Sequence, residues 1–154
     1  MVFANIDFNR NVGKPGWIEA TVKQLEQDVK NGARGLKVYK SLGLSNVDFK
    51  GNRVAIDDPR LSPIWKKCGE LGIPVLIHSA DPKSFWDPFD KDNERWLELK
   101  THPRRKRDAN NPAPFEQIMN EQYTMFKKHP KTTFISAHMG WMSNNLGGLG
   151  KLLD

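Results

Sequence analysis

Two histidines stand at corresponding places after short apolar segments. His78 ends the segment 74–78, and His138 ends the segment 132–138. Imidazole is the commonest metal ligand and also serves as a general acid or base. A single histidine at a strand end is more often structural. Two at matched positions on neighbouring parallel strands indicate function, because ligands of α/β proteins bind at the carboxyl ends of the strands.

Side-chain alternation predicts which other residues share a face with these histidines. If Val75 and Ile77 face the covering helices, His78 faces the other way, onto what we call the open face of the sheet. In the last strand the same rule places Ile135 and Ala137 on the helix face. Phe134 is expected to face the same way, and the polar and titratable residues expected on the open face are Asn5, Asp7, Lys37, Tyr39, His78, Ser136 and His138. A structural interior would carry Val, Ile and Leu there, so this polar set indicates chemistry, and a carboxylate or lysine can complete a divalent-metal site.

Several of these side chains also have plain structural roles open to them. Lys37 can lie along the rim with its amine in solvent, and Asp7 can cap a turn. Asp81 is suited to start the turn before the proline that follows it, although it lies near His78 and could touch a substrate. His129 at a helix end is expected to complement the helix dipole, and His102 is expected to be solvated in a charged loop.

Helices and strands alternate along the chain. In the first predicted helix the apolar residues Ile18, Val22, Leu25 and Val29 repeat with a helical period. Strands are predicted over 2–7, 35–40, 74–78 and 132–138, and helices over 17–31, 58–71, 114–129 and 144–153, with a small hairpin over 47–56 and an irregular stretch over 79–113 that contains a short helix at 92–100. This β-α-β-α-β-α-β-α order predicts an α/β fold with right-handed crossovers and a parallel sheet.

Length and composition predict one globular domain over residues 1–154. No apolar run approaches the roughly 18 residues of a membrane helix, and no secretory signal is visible in the first residues. A single cysteine, Cys68, excludes an intrachain disulfide framework and a multi-cysteine zinc site. A reduced, cytoplasmic setting without a membrane partner is the expectation.

The net charge of +6 raises nucleic acid as a partner. Its densest cluster, residues 104–107, holds no aromatic residue and lies between predicted elements, unlike a nucleic-acid surface with stacking platforms. We expect no nucleic-acid partner, and interpret the run as a solvated loop or a lid that contacts an anionic substrate.

Three stretches, GLKVYKSLGL (35–44), ELGIPVLIHSADP (70–82) and TTFISAHMGW (132–141), resemble the amidohydrolase superfamily, and more closely its amidohydrolase-related branch of metal-dependent hydrolases and decarboxylases. The resemblance implies a TIM (β/α)₈ barrel with a divalent metal, zinc being the favoured ion, at the carboxyl end of its strands. It implies that the last three predicted strands are barrel strands four to six. His78 would bind the metal, and His138 would bind metal or polarise the substrate. Lys37 would face the site as a catalytic group, and Tyr39, Asp81 and Trp141 are expected to contact the substrate.

The sequence departs from that family pattern at two places. No pair of histidines has the H-x-H spacing of the family's first strand, and the catalytic aspartate of its eighth strand has no counterpart. Four strands cannot close a barrel that typically needs about 250 residues. We therefore expect an internal piece of the barrel, about strands three to six, whose exposed parallel edges favour a homo-oligomer.

The function expected from this resemblance is that of a metal-dependent hydrolase acting on a small molecule. Metal-activated water would attack a C–N or C–O bond, or a carboxylic acid would be decarboxylated. The alternative is a non-catalytic α/β module that uses the same strand-end crevice to bind an anion or a partner.

Overall fold

A computed structural model describes residues 1–108, 112–143 and 145–153. Within these ranges one sheet of parallel strands is present, in the order β1-β2-β3-β4. Its strands are β1 (Val2–Asn5), β2 (Ala33–Val38), β3 (Val75–Ile77) and β4 (Phe134–Ser136). The prediction of an α/β fold with alternating elements and parallel strands is confirmed, and the arrangement is consistent with part of a (β/α)₈ barrel.

The predicted helices are present in their expected order, and one short helix directly after β2 was not predicted. The helices are α1 (Trp17–Lys30), α2 (Ser41–Leu44), α3 (Ser62–Glu70), α4 (Trp96–Thr101), α5 (Phe115–Lys128) and α6 (Leu146–Leu153). The predicted helix after Asp58 begins as a 3₁₀ turn, and the Asp58 carboxylate accepts a hydrogen bond from the backbone N–H of Arg60, as expected of an N-cap. The predicted hairpin over 47–56 is reduced to a single antiparallel bridge between Val47 and Arg53.

The core lies between the sheet and the helices. Leu36, Val38, Val75 and Ile77 are at most 1% exposed, so these alternate positions of β2 and β3 form the helix face, as predicted. Cys68 on α3 is buried in the same core. The intervening open-face row runs through Asn5, Lys37, Leu76 and Ile135, which pair across the strands.

The predicted facing of β4 is wrong. Phe134 pairs with Val75, and Ser136 pairs with Ile77, so both belong to the helix face, because paired residues of parallel strands point to the same side. The Phe134 ring lies 4.6 Å from that of Phe126 on α5. Ile135 faces the other way and is 46% exposed. Burying the aromatic ring against α5 outweighs the polar pattern from which the opposite facing was inferred.

The long stretch after β3 is held together by hydrogen bonds between its own residues. The indole N–H of Trp86 donates to the carbonyl of Ala113 over 2.9 Å, and the backbone N–H of Arg107 donates to the carbonyl of Phe85 over 2.8 Å.

Among the described residues no helix is both long enough and apolar enough to cross a membrane.

Candidate functional site

His78 directly follows β3 and presents an unused nitrogen. Its backbone N–H donates to the carbonyl of Val38 over 3.0 Å. Its side-chain Nε2 is buried and has no hydrogen-bond partner among the residues that the structure describes. Burial, with the nearby charges of His138 and Lys37 adding to it, lowers the pKa of His78 to about 4. The ring is therefore neutral at pH 7, the form in which imidazole binds a metal.

His138 lies beside it. The two ring centroids are 4.7 Å apart, with the ring planes at 72°. A straight continuation of β4 would have pointed His138 to the same side as Ser136, into the helix layer. Instead β4 ends, and residues 138–141 form a turn with φ values of 57°, 53°, 59° and 58°.

This left-handed turn is unusual because only one of its four residues is glycine. Left-handed backbone costs roughly 1–2 kcal/mol for each non-glycine residue. Such conformations persist where the surrounding structure holds them, and they cluster at functional sites. The turn is what brings the His138 ring to His78, and we name it the 138–141 turn.

Trp141, expected to contact the substrate, forms the third ring of the group. Its indole stacks on His138 with centroids 4.8 Å apart and an interplanar angle of 30°, and it lies 5.9 Å from His78. Its Nε1 is buried without a hydrogen-bond partner in the described part of the chain. The structure therefore brings together His78, which follows β3, with His138 and Trp141, which follow β4.

Lys37 lies on β2, and Tyr39 directly follows that strand. Lys37 Nζ donates over 2.7 Å to the Val38 carbonyl, the same oxygen that accepts from the His78 backbone. Burial lowers the pKa of Lys37. Its ammonium also lies 4.7 Å from the centroid of the Tyr39 ring, and Tyr39 is 56% exposed.

Asp81 is buried beside this group, and both of its oxygens are occupied. Oδ1 accepts from Lys40 Nζ over 2.5 Å, and Oδ2 accepts from Arg107 Nη2 over 2.7 Å. Sequence reasoning placed Asp81 near His78 but missed Arg107 as its partner, because nothing local in the sequence links residues so far apart. Asp81 thus ties the long loop to the end of β2.

The basic run at 104–107 is largely engaged within the chain. Arg105 pairs with Glu98 over 2.5 Å, and Arg107 binds Asp81. Lys106 Nζ donates to the backbone carbonyl of Asp87 over 2.7 Å. Cations held in this way are less available to phosphates, and the absence of a nucleic-acid partner stays a prediction.

The other candidates lie elsewhere. Asp7 caps a turn, accepting from the backbone N–H of Asn9 over 3.0 Å. His129 Nε2 lies 3.2 Å from Ser62 Oγ, and His102 contacts its neighbour Thr101 in the loop after α4.

The residues present fit part of a metal's donor set. The unpartnered, buried Nε2 of His78 and the adjacent ring of His138 supply two imidazoles. Catalytic zinc normally takes three protein ligands, and within 1–108, 112–143 and 145–153 no group of three His, Cys, Asp or Glu side chains is arranged to hold a metal. Asp81, whose oxygens are bound to two cations, does not supply the third.

The comparison with protein-family models agrees with the resemblance in the sequence. The amidohydrolase family model Amidohydro_2 matches residues 5–153. No curated protein matches the chain. A crystal structure of an amidohydrolase from Mycobacterium avium subsp. paratuberculosis K-10 is 13% identical, with a TM-score of 0.48 over 97% of this chain and 37% of that chain. The chain thus spans little more than a third of the length of that structure. The family match covers nearly all residues of this chain and shows that the chain belongs to the amidohydrolase family, which is of hydrolase type.

Proposed function

We propose that this chain carries part of the catalytic centre of a metal-dependent amidohydrolase that acts on a small molecule. One observation supports this above the others: a buried, unpartnered imidazole nitrogen on His78 lies beside the ring of His138. The reaction is hydrolysis of a C–N or C–O bond, or decarboxylation of a carboxylic acid.

His78 and His138 are the proposed metal ligands, and zinc is the favoured ion. A bound divalent ion would supply a Lewis acid that polarises the substrate and lowers the pKa of water. Because burial keeps His78 neutral, no proton has to leave this ring before it binds a cation. With two imidazoles in place of the usual three protein ligands, we expect the isolated chain to bind the ion weakly.

Lys37 is the proposed catalytic partner of this pair. Its ammonium donates to the Val38 carbonyl, next to the backbone of His78. Partial burial reduces the competition of water for the hydrogen bonds of this ammonium. A cation fixed there can donate a hydrogen bond to an oxygen on which negative charge develops. His138, whose ring contacts that of His78, can stabilise the same charge.

Substrate contacts are assigned to Tyr39, Trp141 and Asp81. Tyr39 is exposed with the Lys37 ammonium over its ring, and the Trp141 ring stacks on His138. Asp81 acts in this proposal through Lys40 and Arg107, which it holds at the rim of the site, where an anionic group of a substrate would meet them.

A non-catalytic binding module is the second candidate. Lys40 and Arg107 share the single carboxylate of Asp81, so one net positive charge remains beside the end of β2 and favours an anion there even without a metal. This candidate predicts that any zinc binding by the chain does not depend on His78 or His138. Cytoplasmic location and self-association stay predictions under either proposal.

Calorimetric titration with zinc chloride separates the two. The wild-type chain is compared with His78→Ala and His138→Ala, and with His102→Ala as a control on an exposed histidine. The amidohydrolase proposal predicts about one zinc per chain, lost or strongly weakened in the first two variants and kept in the control. Zinc binding that is equal in all four proteins, or absent from all of them, counts against it.

A further inference from the structure

A buried glutamine lies against the 138–141 turn. Gln122 is on α5, and its side chain is 0% exposed. It reaches the end of β4, where Ser136 Oγ donates to its Oε1 over 3.5 Å. Its Nε2 has no hydrogen-bond partner in the described part of the chain. A buried amide without full hydrogen bonding lowers stability, so an apolar residue here would make a better core.

The turn and the glutamine fit together because residue 140 has no side chain. A Cβ on Gly140 would lie 2.9 Å from Ser136 Oγ and 3.2 Å from Gln122 Nε2. The φ of Gly140 is +59°, a conformation that glycine adopts without steric cost. Ser136, Gln122 and Gly140 therefore form one packed contact, which we call the turn seat.

The turn seat lies where the chain changes direction. Ser136 points into the helix layer with its neighbour Ile77, whereas the ring of His138 meets that of His78. The 138–141 turn makes this change, and its left-handed backbone needs contacts that hold it. Through the turn seat, α5 supplies such a contact from the interior of the fold.

We propose that Gln122 is a positioning residue for His138: its buried amide, packed against Ser136 and Gly140, holds the turn that sets the His138 ring beside His78. The inference rests on the proposed function for the role of His138 as a ligand, and it adds the group that orients this ligand. Residues that orient metal ligands without touching the metal typically change affinity when they are replaced.

The first test replaces Gln122 by methionine, which keeps the length of the side chain and removes its polar atoms. Gln117→Met is the matched control, because Gln117 is an exposed glutamine of the same helix whose amide donates to Glu121 and is not part of the turn seat. The protein has only four histidines, so NMR can follow each imidazole ring without metal. We expect the His138 signals to shift in Gln122→Met, because the ring contact with Trp141 changes. His129 directly follows α5 and contacts Ser62 instead of the turn seat, so its signals should stay in place and report an intact fold.

A second variant tests the same contact from the other side. Gly140→Ala inserts a Cβ into the turn seat and should also shift the His138 signals, and adding Ser136→Ala should reverse part of that shift by removing the nearest atom. This pair decides the matter if Gln122→Met does not fold. Unchanged His138 signals in folded Gln122→Met, or in folded Gly140→Ala, would overturn the inference.

Zinc titration gives an independent readout. Gln122→Met should weaken zinc binding roughly 10-fold or more, the range found for residues that orient metal ligands, while Gln117→Met should not. If the wild-type chain binds no zinc, the proposed function fails, and the metal-free histidine spectra still decide whether Gln122 positions His138.

Discussion

The rings of His78 and His138 meet at a centroid distance of 4.7 Å and an angle of 72°, although the two residues follow different strands. The first reaches this place by regular extension of β3, and the second only by a left-handed turn after β4. One nitrogen of the pair, His78 Nε2, is buried and unpartnered within the described residues. This contact is the main support for the proposed metal centre.

The low pKa of His78 predicts a loss of stability in acid. Burial lowers it from 6.5 to about 4 in the folded chain, so the unfolded state binds more protons between these values. The free energy of unfolding contributed by His78 is therefore fully present above pH 6.5 and falls as the pH drops toward 4. His78→Gln should flatten this part of the profile, measured by urea unfolding without metal. The exposed His102→Gln should keep the wild-type slope, and equal slopes in wild type and His78→Gln would contradict the assignment.

The ion pair between the buried Glu121 and Arg53 predicts a large stability effect. Glu121 on α5 pairs with Arg53 through a short contact and accepts from the backbone N–H of Ile56 over 3.1 Å. Glu121→Leu leaves the Arg53 charge unpaired and should cost about 3 kcal/mol in the free energy of unfolding. The exposed pair of Lys91 with Asp92 supplies the control, because Asp92→Ala should cost less than about 1 kcal/mol. A cost for Glu121→Leu as small as that of the control would show that the pair is not needed.

The contacts of Asp81 predict protection of the long loop. Asp81→Asn weakens both ion pairs, with Lys40 and with Arg107, and the loop that carries the basic run should detach more often. Limited trypsin digestion followed by mass spectrometry should then show faster cleavage at residues 104–107. Lys91→Gln, which removes an exposed pair of the same loop region, should leave that rate unchanged. Equal cleavage of wild type and Asp81→Asn would mean that Asp81 does not anchor the loop.

Most of the fold could be predicted because local patterns and tertiary packing agree. The apolar period of α1 and the buried alternation of Val75 and Ile77 mark their elements correctly. The facing of β4 could not be derived in this way. Its polar residues suggested the open face for Ser136. Instead, Phe134 packs against α5, and both Phe134 and Ser136 point to the helix face. This packing depends on α5, and the residue pattern of the strand carries no information about that helix.

The members of the candidate site could be proposed from the sequence, but the way in which the structure brings them together could not. His78, His138, Trp141 and Lys37 were proposed from strand ends, alternation and family resemblance, and their roles stay predictions. The left-handed turn was not, because among its residues only Gly140 favours such a backbone. Arg107 and Gln122 were also missed, since their roles depend on contacts with Asp81 and Ser136 that are distant in sequence.

Anomalous X-ray diffraction at the zinc edge, from crystals grown with excess zinc, tests the central claim most directly. The proposed metal centre predicts an anomalous peak between the rings of His78 and His138, within bonding distance of both, and no such peak in crystals of His78→Ala. Zinc bound only at other histidines, or an empty site beside the paired rings at saturating zinc, would contradict it.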